Sequence, residues 1–314
     1  MKLAVSLGHG LTPSESVDAA VKLERFGYDF LWVSESVGFD SLPVLGAAAN
    51  RTSKIGLGTG VVNVYSRSAT QIAMAAATID VLSHGRFILG IGASSAGVVE
   101  GWHGLNFKGQ LNRVAEYTDE LRSKLRRRSG LPLPFSHLRN NVPVFVAGVG
   151  DRMVALAKRR ADGVLFFMRP FSDVEVQCRR LASRSFRMCA NVVSCVSDNQ
   201  SAAEMRARRT VAFYLTYGEA YRRLVVRLSP HGVGEVISAV RSDWLKGRSE
   251  SASKRIPDAL LDELAIYGTP SDCRKRIEEY SRIKGLHMLG LHFNPVGRSI
   301  SESIAMLASL PESP

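Results

Sequence analysis

Apolar residues along this chain recur at strand spacing, then at helix spacing, in repeated alternation. Leu3–Leu7 is predicted as the first strand, and Ser14–Phe26 carries the helical spacing that follows, closed by Gly27. Asp29–Ser34 is the second strand, with a helix over Ser41–Asn50. The third strand opens with Ile55 and Leu57 alternating with Gly56 and Gly58, runs out in Thr59–Asn63, and leads to an alanine-rich helix over Ser68–Leu82. Phe87–Gly92 is the fourth strand, followed by a helix over Asn112–Arg128. Pro143–Ala147, Asp162–Phe167 and Phe186–Val196 are strands five to seven; helices over Asp151–Arg160 and Ser172–Ser183 follow the first two. From Asp198 to Ile283 only helices are predicted, over Gln200–Leu228, Gly232–Leu245, Ile256–Leu264 and Ser271–Ile283. His287–Phe293 is the eighth strand and Ile300–Leu310 the last helix. The first four units fit a doubly wound sheet as well as a closed barrel. Eight units argue for an α/β fold, a (β/α)8 TIM barrel with a helical insertion between strands seven and eight. No linker interrupts the series, so residues 1–314 are expected to form a single domain.

Composition narrows the function. With 45% hydrophobic residues in 314, the chain has enough apolar material for one large core. No apolar run approaches the roughly 20 residues that span a bilayer, so no membrane is expected as a partner. Cys178, Cys189, Cys195 and Cys273 show no C-x-x-C spacing, so no metal site and no disulfide framework is expected, and a cytoplasmic location is the default. The net charge of +12 comes from basic residues scattered along the chain, densest at Arg122–Arg128 near a helix end. That scatter argues against nucleic acid as the partner. It leaves attraction of a polyanionic small molecule as a use for the charge.

Ligands of parallel α/β folds sit at the C-terminal ends of the strands. The ends of strands four and five, Gly90–Gly97 and Ala147–Gly150, are glycine-rich and expose backbone N–H groups suited to a phosphate. Such turns are also simply tight. Gly90 and Gly92 do not make a dinucleotide fingerprint, because the third glycine is displaced. Glu35 is the only carboxylate at the end of strand two, and it is an acid, a base or a ligand contact, or else the partner of a neighbouring arginine. His9 and His103 are further candidates for proton transfer. Trp102 either stacks on a flat ring or caps the barrel, and Tyr65 and Arg67 are placed at the site mouth or a subunit contact. No nucleophile constellation stands out, which favours a cofactor as the carrier of the chemistry.

Several stretches together resemble the bacterial-luciferase-like superfamily of flavin and deazaflavin enzymes: Phe30–Ser36, Ile55–Arg67, Ala76–Gly92, Val99–Gly104, Val144–Gly150 and Ala265–Pro270. The wording is most similar to the branch that uses coenzyme F420, typified by methylenetetrahydromethanopterin reductase. The resemblance implies a (β/α)8 barrel with a tricyclic ring at the C-terminal strand ends and a non-proline cis peptide near Gly60-Val61. It implies a ring environment of Glu35, Ser36, Thr59, Gly60, Val61 and Asn63, with Glu35 the first choice as proton donor. It places Ser94, Ser95, Gly148, Val149 and Gly150 near the phosphate and tail, and Trp102 is taken with the cofactor-binding set. The function implied is hydride transfer between coenzyme F420 and a small organic acceptor, in a homodimer. An FMN-dependent monooxygenase and a non-catalytic ligand-binding member are the alternatives. Several features depart from the family's pattern. Ser36 stands where some deazaflavin dehydrogenases have histidine, and Ala93–Ser94 where they have glutamate. Ala69 replaces a usual proline, and the segment 129–141 is short.

Overall fold

The computed structural model describes residues 1–8, 10–35, 37–125, 142–229, 232–297 and 299–311. In chain order the elements begin β1 (Lys2–Leu7), α1 (Pro13–Arg25), β2 (Phe30–Val33), α2 (Ser41–Arg51), β3 (Gly56–Thr59), β4 (Val62–Asn63), α3 (Ala69–Leu82) and β5 (Phe87–Gly92). They continue α4 (Ala96–Val99), α5 (Gln110–Leu125), β6 (Val144–Ala147), α6 (Asp151–Arg160), β7 (Gly163–Phe167), α7 (Phe171–Leu181) and β8 (Arg187–Val196). Then come α8 (Gln200–Tyr217), α9 (Glu219–Leu228), α10 (Val233–Leu245), α11 (Ser249–Lys254), α12 (Asp258–Leu264), β9 (Ala265–Gly268), α13 (Pro270–Ser281), β10 (Met288–Phe293) and α14 (Ile300–Met306). The strand order is β10-β1-β2-β3-β5-β6-β7-β8-β9, with β4 on β5 and β10 also paired to β8. The fold is the (β/α)8 TIM barrel expected from the strand–helix alternation, with β4 and β9 as short additions to the eight strands.

The stretch between β8 and β10 departs from the sequence expectation. It is not purely helical: Ala265–Gly268 is a strand, in parallel register with Val193–Val196. The long helix expected over Gln200–Leu228 divides at Gly218, where an added Cβ would lie 2.2 Å from the Tyr221 ring. The short helix α11 was not expected either.

The chain divides into two compact bodies. One holds Ala4–Leu165 and Arg184–Arg187. Its parallel strands pair large residues with glycine. Phe30 lies in register with Gly56 and Trp32 with Gly58, and a Cβ on either glycine would come within 2.5 Å of the facing ring. Phe145 faces Gly163 in the same manner. Trp32 and Phe145, both wholly buried, then meet with ring centroids 6.1 Å apart. The glycine alternation of the third strand is therefore the small half of a packed interior, where aromatic burial dominates the energetics.

Helix ends are fixed locally. Thr12 with Glu15 and Ser68 with Gln71 form reciprocal capping boxes at α1 and α3. The entry to β3 is clamped from two sides. Glu24 of α1 accepts the backbone N–H groups of Ser53, Lys54 and Ile55, the last two at 2.7 and 2.8 Å. Arg86 donates to the carbonyls of Ala49, Thr52 and Ile55.

The other body holds Met1–Leu3, Phe166–Ser183 and Met188–Pro314. Here β8 pairs in parallel with β9 and β10, and Asn191 lies in register with Gly290. The apolar core of this body gathers Val193, Cys195, Ala207, Val211, Ile237 and Leu261. Thr269 and Asp272 form a third capping box, at α13. All four cysteines are buried. Burial pushes the thiols of Cys178 and Cys273 up to about 12, which makes them poor nucleophiles near neutral pH.

Candidate functional site

The site is built where β3 breaks. Leu57 and Gly58 pair with Phe87 and Ile88, and pairing resumes with Val62 on Ile91. Between these points the first strand advances four residues and its neighbour three, so one residue is extra: a β-bulge. The peptide bond Gly60-Val61 within it is cis. The Gly60 N–H donates to the Val33 carbonyl at 2.8 Å, and the Ser34 hydroxyl donates to the Gly60 carbonyl at 2.9 Å. Thr59 fills the gap in the ladder with its side chain. Its hydroxyl donates to the Gly90 carbonyl at 2.7 Å and accepts the Gly90 N–H at 2.8 Å.

The bulge lays Val61 across β5. A Cβ at Gly90 would stand 2.0 Å from the Thr59 carbonyl oxygen and 3.1 Å from Val61, and a Cβ at Gly92 would stand 2.9 Å from Val61 and 3.1 Å from Ala147. The paired glycines of the fourth strand are thus the floor on which Val61 rests. Val61 itself stays half-buried at the C-terminal edge of the sheet.

Asn63 is buried and shapes the next turn. Its Oδ1 accepts the N–H groups of Tyr65 and Ser66 at 3.0 and 2.8 Å, and its Nδ2 lies 3.5 Å from His103 Nε2. Tyr65 donates its hydroxyl to the Lys108 carbonyl and packs on Phe107 at 5.6 Å, which ties the 103–108 segment to the strand end. Glu35 is not free. Arg67 Nη1 lies 2.7 Å from Glu35 Oε1, Ser41 donates from both N and Oγ to Oε2, and the side chain is 8% exposed. Arg67 also holds Asp40 at 2.8 Å, the residue whose carboxylate caps α2. Of the readings the sequence allows, the arginine pair is the one the geometry displays.

The remaining predicted positions scatter more widely. Ser94 follows β5 in the left-handed region at φ 65° and is exposed, and Ser95 is half-buried. Gly148 is buried, with its N–H on the Leu165 carbonyl at 2.9 Å. Val149 is half-buried, and exposed Gly150 is the N-cap of α6 with no side chain to occupy it. These groups lie at the C-terminal ends of parallel strands in the same body as the bulge, as a phosphate site in this fold requires. Trp102 is 61% exposed in the turn after α4. Ser36 and His9 lie outside the described residues, as does the segment 129–141.

Cavities open in this body. One of about 120 Å³ is lined by Gly8, Gly10, Leu11, Ser34, Val37, Gly38 and Phe39, at the C-terminal ends of β1 and β2 beside the bulge's Ser34. A larger one, about 540 Å³, lies at the C-terminal turns of α5 and α6, lined by Arg122, Arg159 and Arg160. Arg122 and Arg160 are already paired with Asp162 and Asp119. Of the two, the smaller cavity is the one that meets the strand ends. Among the described residues no group of three or more His, Cys, Asp or Glu is placed to hold a metal ion. No helix among them is long and apolar enough to cross a membrane.

Sequence reasoning missed Ser34 as the anchor of the bulge, and in the other body it missed the contact of half-buried Tyr214 with buried His292, at 2.9 Å. His292 was visible as the one titratable residue inside the apolar run Met288–Phe293.

Comparisons with known proteins bear on the family and the fold. A protein of Mycobacterium tuberculosis named as a coenzyme F420-dependent oxidoreductase is 30% identical, over 88% of this chain and 91% of that one. The 5,10-methylenetetrahydromethanopterin reductase of Archaeoglobus fulgidus is 28% identical, over 91% of this chain and 92% of the relative. The solved structure of the coenzyme F420-dependent tetrahydromethanopterin reductase of Methanopyrus kandleri superposes with a TM-score of 0.80 at 19% identity, covering 98% of this chain and 97% of that one. A profile described as luciferase-like monooxygenase matches residues 1–287, and the chain belongs to that luciferase-like family.

Proposed function

We propose that this protein is a coenzyme F420-dependent oxidoreductase that transfers a hydride between the deazaflavin and a small organic acceptor carrying an unsaturated or imine-like carbon. The observation that carries the reading is the bulge after β3, which lays Val61 over Gly90 and Gly92 at the C-terminal strand ends. It gives a flat ring an apolar support with glycines beneath. The names of the M. tuberculosis and A. fulgidus relatives support F420 as the coenzyme. Thr59, Gly60, Val61 and Asn63, with Ser36 and Trp102, are the proposed ring-side residues. Ser94, Ser95, Gly148, Val149 and Gly150 are proposed to hold the phosphate, and the +12 charge to attract the anionic tail. When bound, the reduced deazaflavin supplies the hydride. Glu35 is proposed as a positioning residue, because both of its oxygens are engaged by Arg67 and Ser41. A homodimer acting in the cytoplasm on a small molecule belongs to the same reading and rests on the family resemblance.

A second reading, an FMN-dependent monooxygenase, is favoured by the description of the matching family profile. Parallel fluorescence titrations with coenzyme F420 and FMN separate the two. Saturable binding of F420 that strengthens with tail length, and weaker binding of FMN, is the expected result. Tight binding of FMN alone makes the monooxygenase the answer, and binding of neither removes the strand-end site as a cofactor site.

A further inference from the structure

The cavity of about 540 Å³ lies away from the bulge, wholly within the body that carries it. Asp119, Arg122 and Ser123 of α5 line it, with Arg159 and Arg160 of α6 and the next residue, Ala161. Both helices end here, and two strands begin. The Asp162 N–H donates to the carbonyl of Val144, the first residue of β6, at 2.8 Å, and the Asp162 carboxylate accepts the Val144 N–H at 2.9 Å. Gly163 opens β7. The cavity is therefore at the N-terminal ends of the strands, the opposite end from the bulge.

Its charge exceeds what two helix ends call for. Cations in a last turn ordinarily answer the helix dipole, which amounts to about half a negative charge per helix end. Lys124 and Lys158 already stand in the last turns of α5 and α6. The cavity adds three guanidinium groups, beside the carboxylates Asp119 and Asp162. Those carboxylates position the arginines more than they consume them. Arg122 Nη1 reaches Asp162 Oδ2 at 2.8 Å, which holds a side chain only 19% exposed, and Arg160 Nη1 reaches Asp119. A guanidinium carries five N–H groups, so most of each fork stays open. Arg159 is exposed and makes no ion pair or hydrogen bond among the described residues. Ser123 adds a hydroxyl donor to the same wall.

We propose that this cavity is a second binding site, for a small anion carrying a diphosphate group. Guanidinium forks take phosphate oxygens two at a time, and Arg122, Arg159 and Arg160 together match the charge of such an anion. The volume lies in the range of small-molecule sites, about 300–1,000 Å³, and leaves room for an organic group attached to the diphosphate. A bound anion bridges the ends of α5 and α6 beside the Asp162 contacts that start β6, so it stabilises the folded barrel in proportion to its occupancy. The site is independent of the hydride-transfer reading, because none of its residues belongs to the strand-end site.

The test titrates the full chain with pyrophosphate and with ADP by calorimetry at low salt, where exposed charges are least screened, and follows thermal unfolding in parallel. The expected result is one site per chain for each probe and a melting temperature that rises with probe concentration. Arg159→Glu should weaken binding by ~10-fold or more, the worth of a hydrogen bond to a charged group. Arg159→Ala should show a smaller loss in the same direction, and it keeps the test readable if the charge reversal disturbs folding. Arg223→Ala removes an exposed arginine of α9, in the other body, and should leave the affinity unchanged. Saturable binding of neither probe overturns the assignment. So does an equal loss in Arg223→Ala and Arg159→Glu, which would make the effect one of net charge. Wild-type affinity in both Arg159 variants also overturns it, and would move the bound anion to the glycine-rich strand ends.

Discussion

The Thr59 hydroxyl replaces a missing rung of backbone pairing by meeting both the N–H and the C=O of Gly90, at 2.8 and 2.7 Å. Thr59 and Gly90 are both buried. Thr59→Val keeps the shape and strands both groups of Gly90. A buried backbone group left unpaired costs about 1–3 kcal/mol, so the variant should lose about 3 kcal/mol in denaturant unfolding. Coenzyme affinity should fall with it, because the bulge is no longer pinned. Thr59→Ser should restore most of both. Wild-type stability in Thr59→Val would show that the rung is dispensable.

The two glycines under Val61 should respond differently to alanine. At Gly90 the new Cβ meets the Thr59 carbonyl oxygen at 2.0 Å, a backbone atom that cannot yield without moving the bulge. At Gly92 its nearest neighbours are a Val61 methyl at 2.9 Å and the Ala147 Cβ at 3.1 Å. Gly90→Ala should lose more than about 3 kcal/mol or fail to fold, in line with severe overpacking. Gly92→Ala should fold with a loss of about 1–2 kcal/mol and reveal itself in weakened coenzyme binding, since Val61 must shift. Equal thermal melting of the two variants would contradict this ranking.

The Glu35–Arg67 contact predicts a split between binding and pH dependence. Glu35→Gln retains a hydrogen-bond acceptor for Ser41 but removes the charge facing Arg67, which keeps Asp40 as its partner. Stability should fall by about 1–2 kcal/mol, below the usual cost of breaking a fully buried pair. Coenzyme affinity should weaken through the displaced strand end, with the pH profile of turnover unchanged. A lost pH limb in Glu35→Gln would return this carboxylate to the role of proton donor.

Much of this was legible in the chain, and what was hidden is hidden for a physical reason. The glycine alternation of Ile55–Gly60 and the pair Gly90 and Gly92 marked the site, because close packing of strands leaves a trace in residue size. The strand ends were readable from periodicity to within a residue or two. Ala265–Gly268 was read as helical context because four residues are too few to show a period. Its partner, Val193–Val196, lies some seventy residues away in sequence, where local pattern has no reach. The same separation concealed the contacts of Glu35 with Arg67, |i−j| 32, and of Tyr214 with His292, |i−j| 78. Residue type marked Glu35 and Arg67 as candidates, but only the fold paired them, and the Tyr214–His292 contact left no local trace.

The clamp that starts β3 makes a prediction about acid. Burial alone would raise the Glu24 carboxyl, but the N–H groups of Ile55, Lys54 and Ser53 and the nearby Arg86 outweigh it and hold it below the ordinary carboxylate range. A carboxylate depressed in the folded state stabilises the fold fully above its unfolded value of about 4.3 and loses that contribution as pH falls through the folded value. Glu24→Gln removes the charge and keeps the size. At pH 7 the wild type should therefore exceed the variant by about 1–2 kcal/mol, the worth of hydrogen bonds to an ionised acceptor. The gap should narrow below about pH 4, where the wild-type side chain is itself protonated. Urea unfolding of both proteins at pH 7, 5 and 3.5 measures the difference, and other titrating groups cancel because they are common to both. A gap that stays constant across this range would mean that packing of Glu24, and not its charge on the three N–H groups, positions the strand that carries the site.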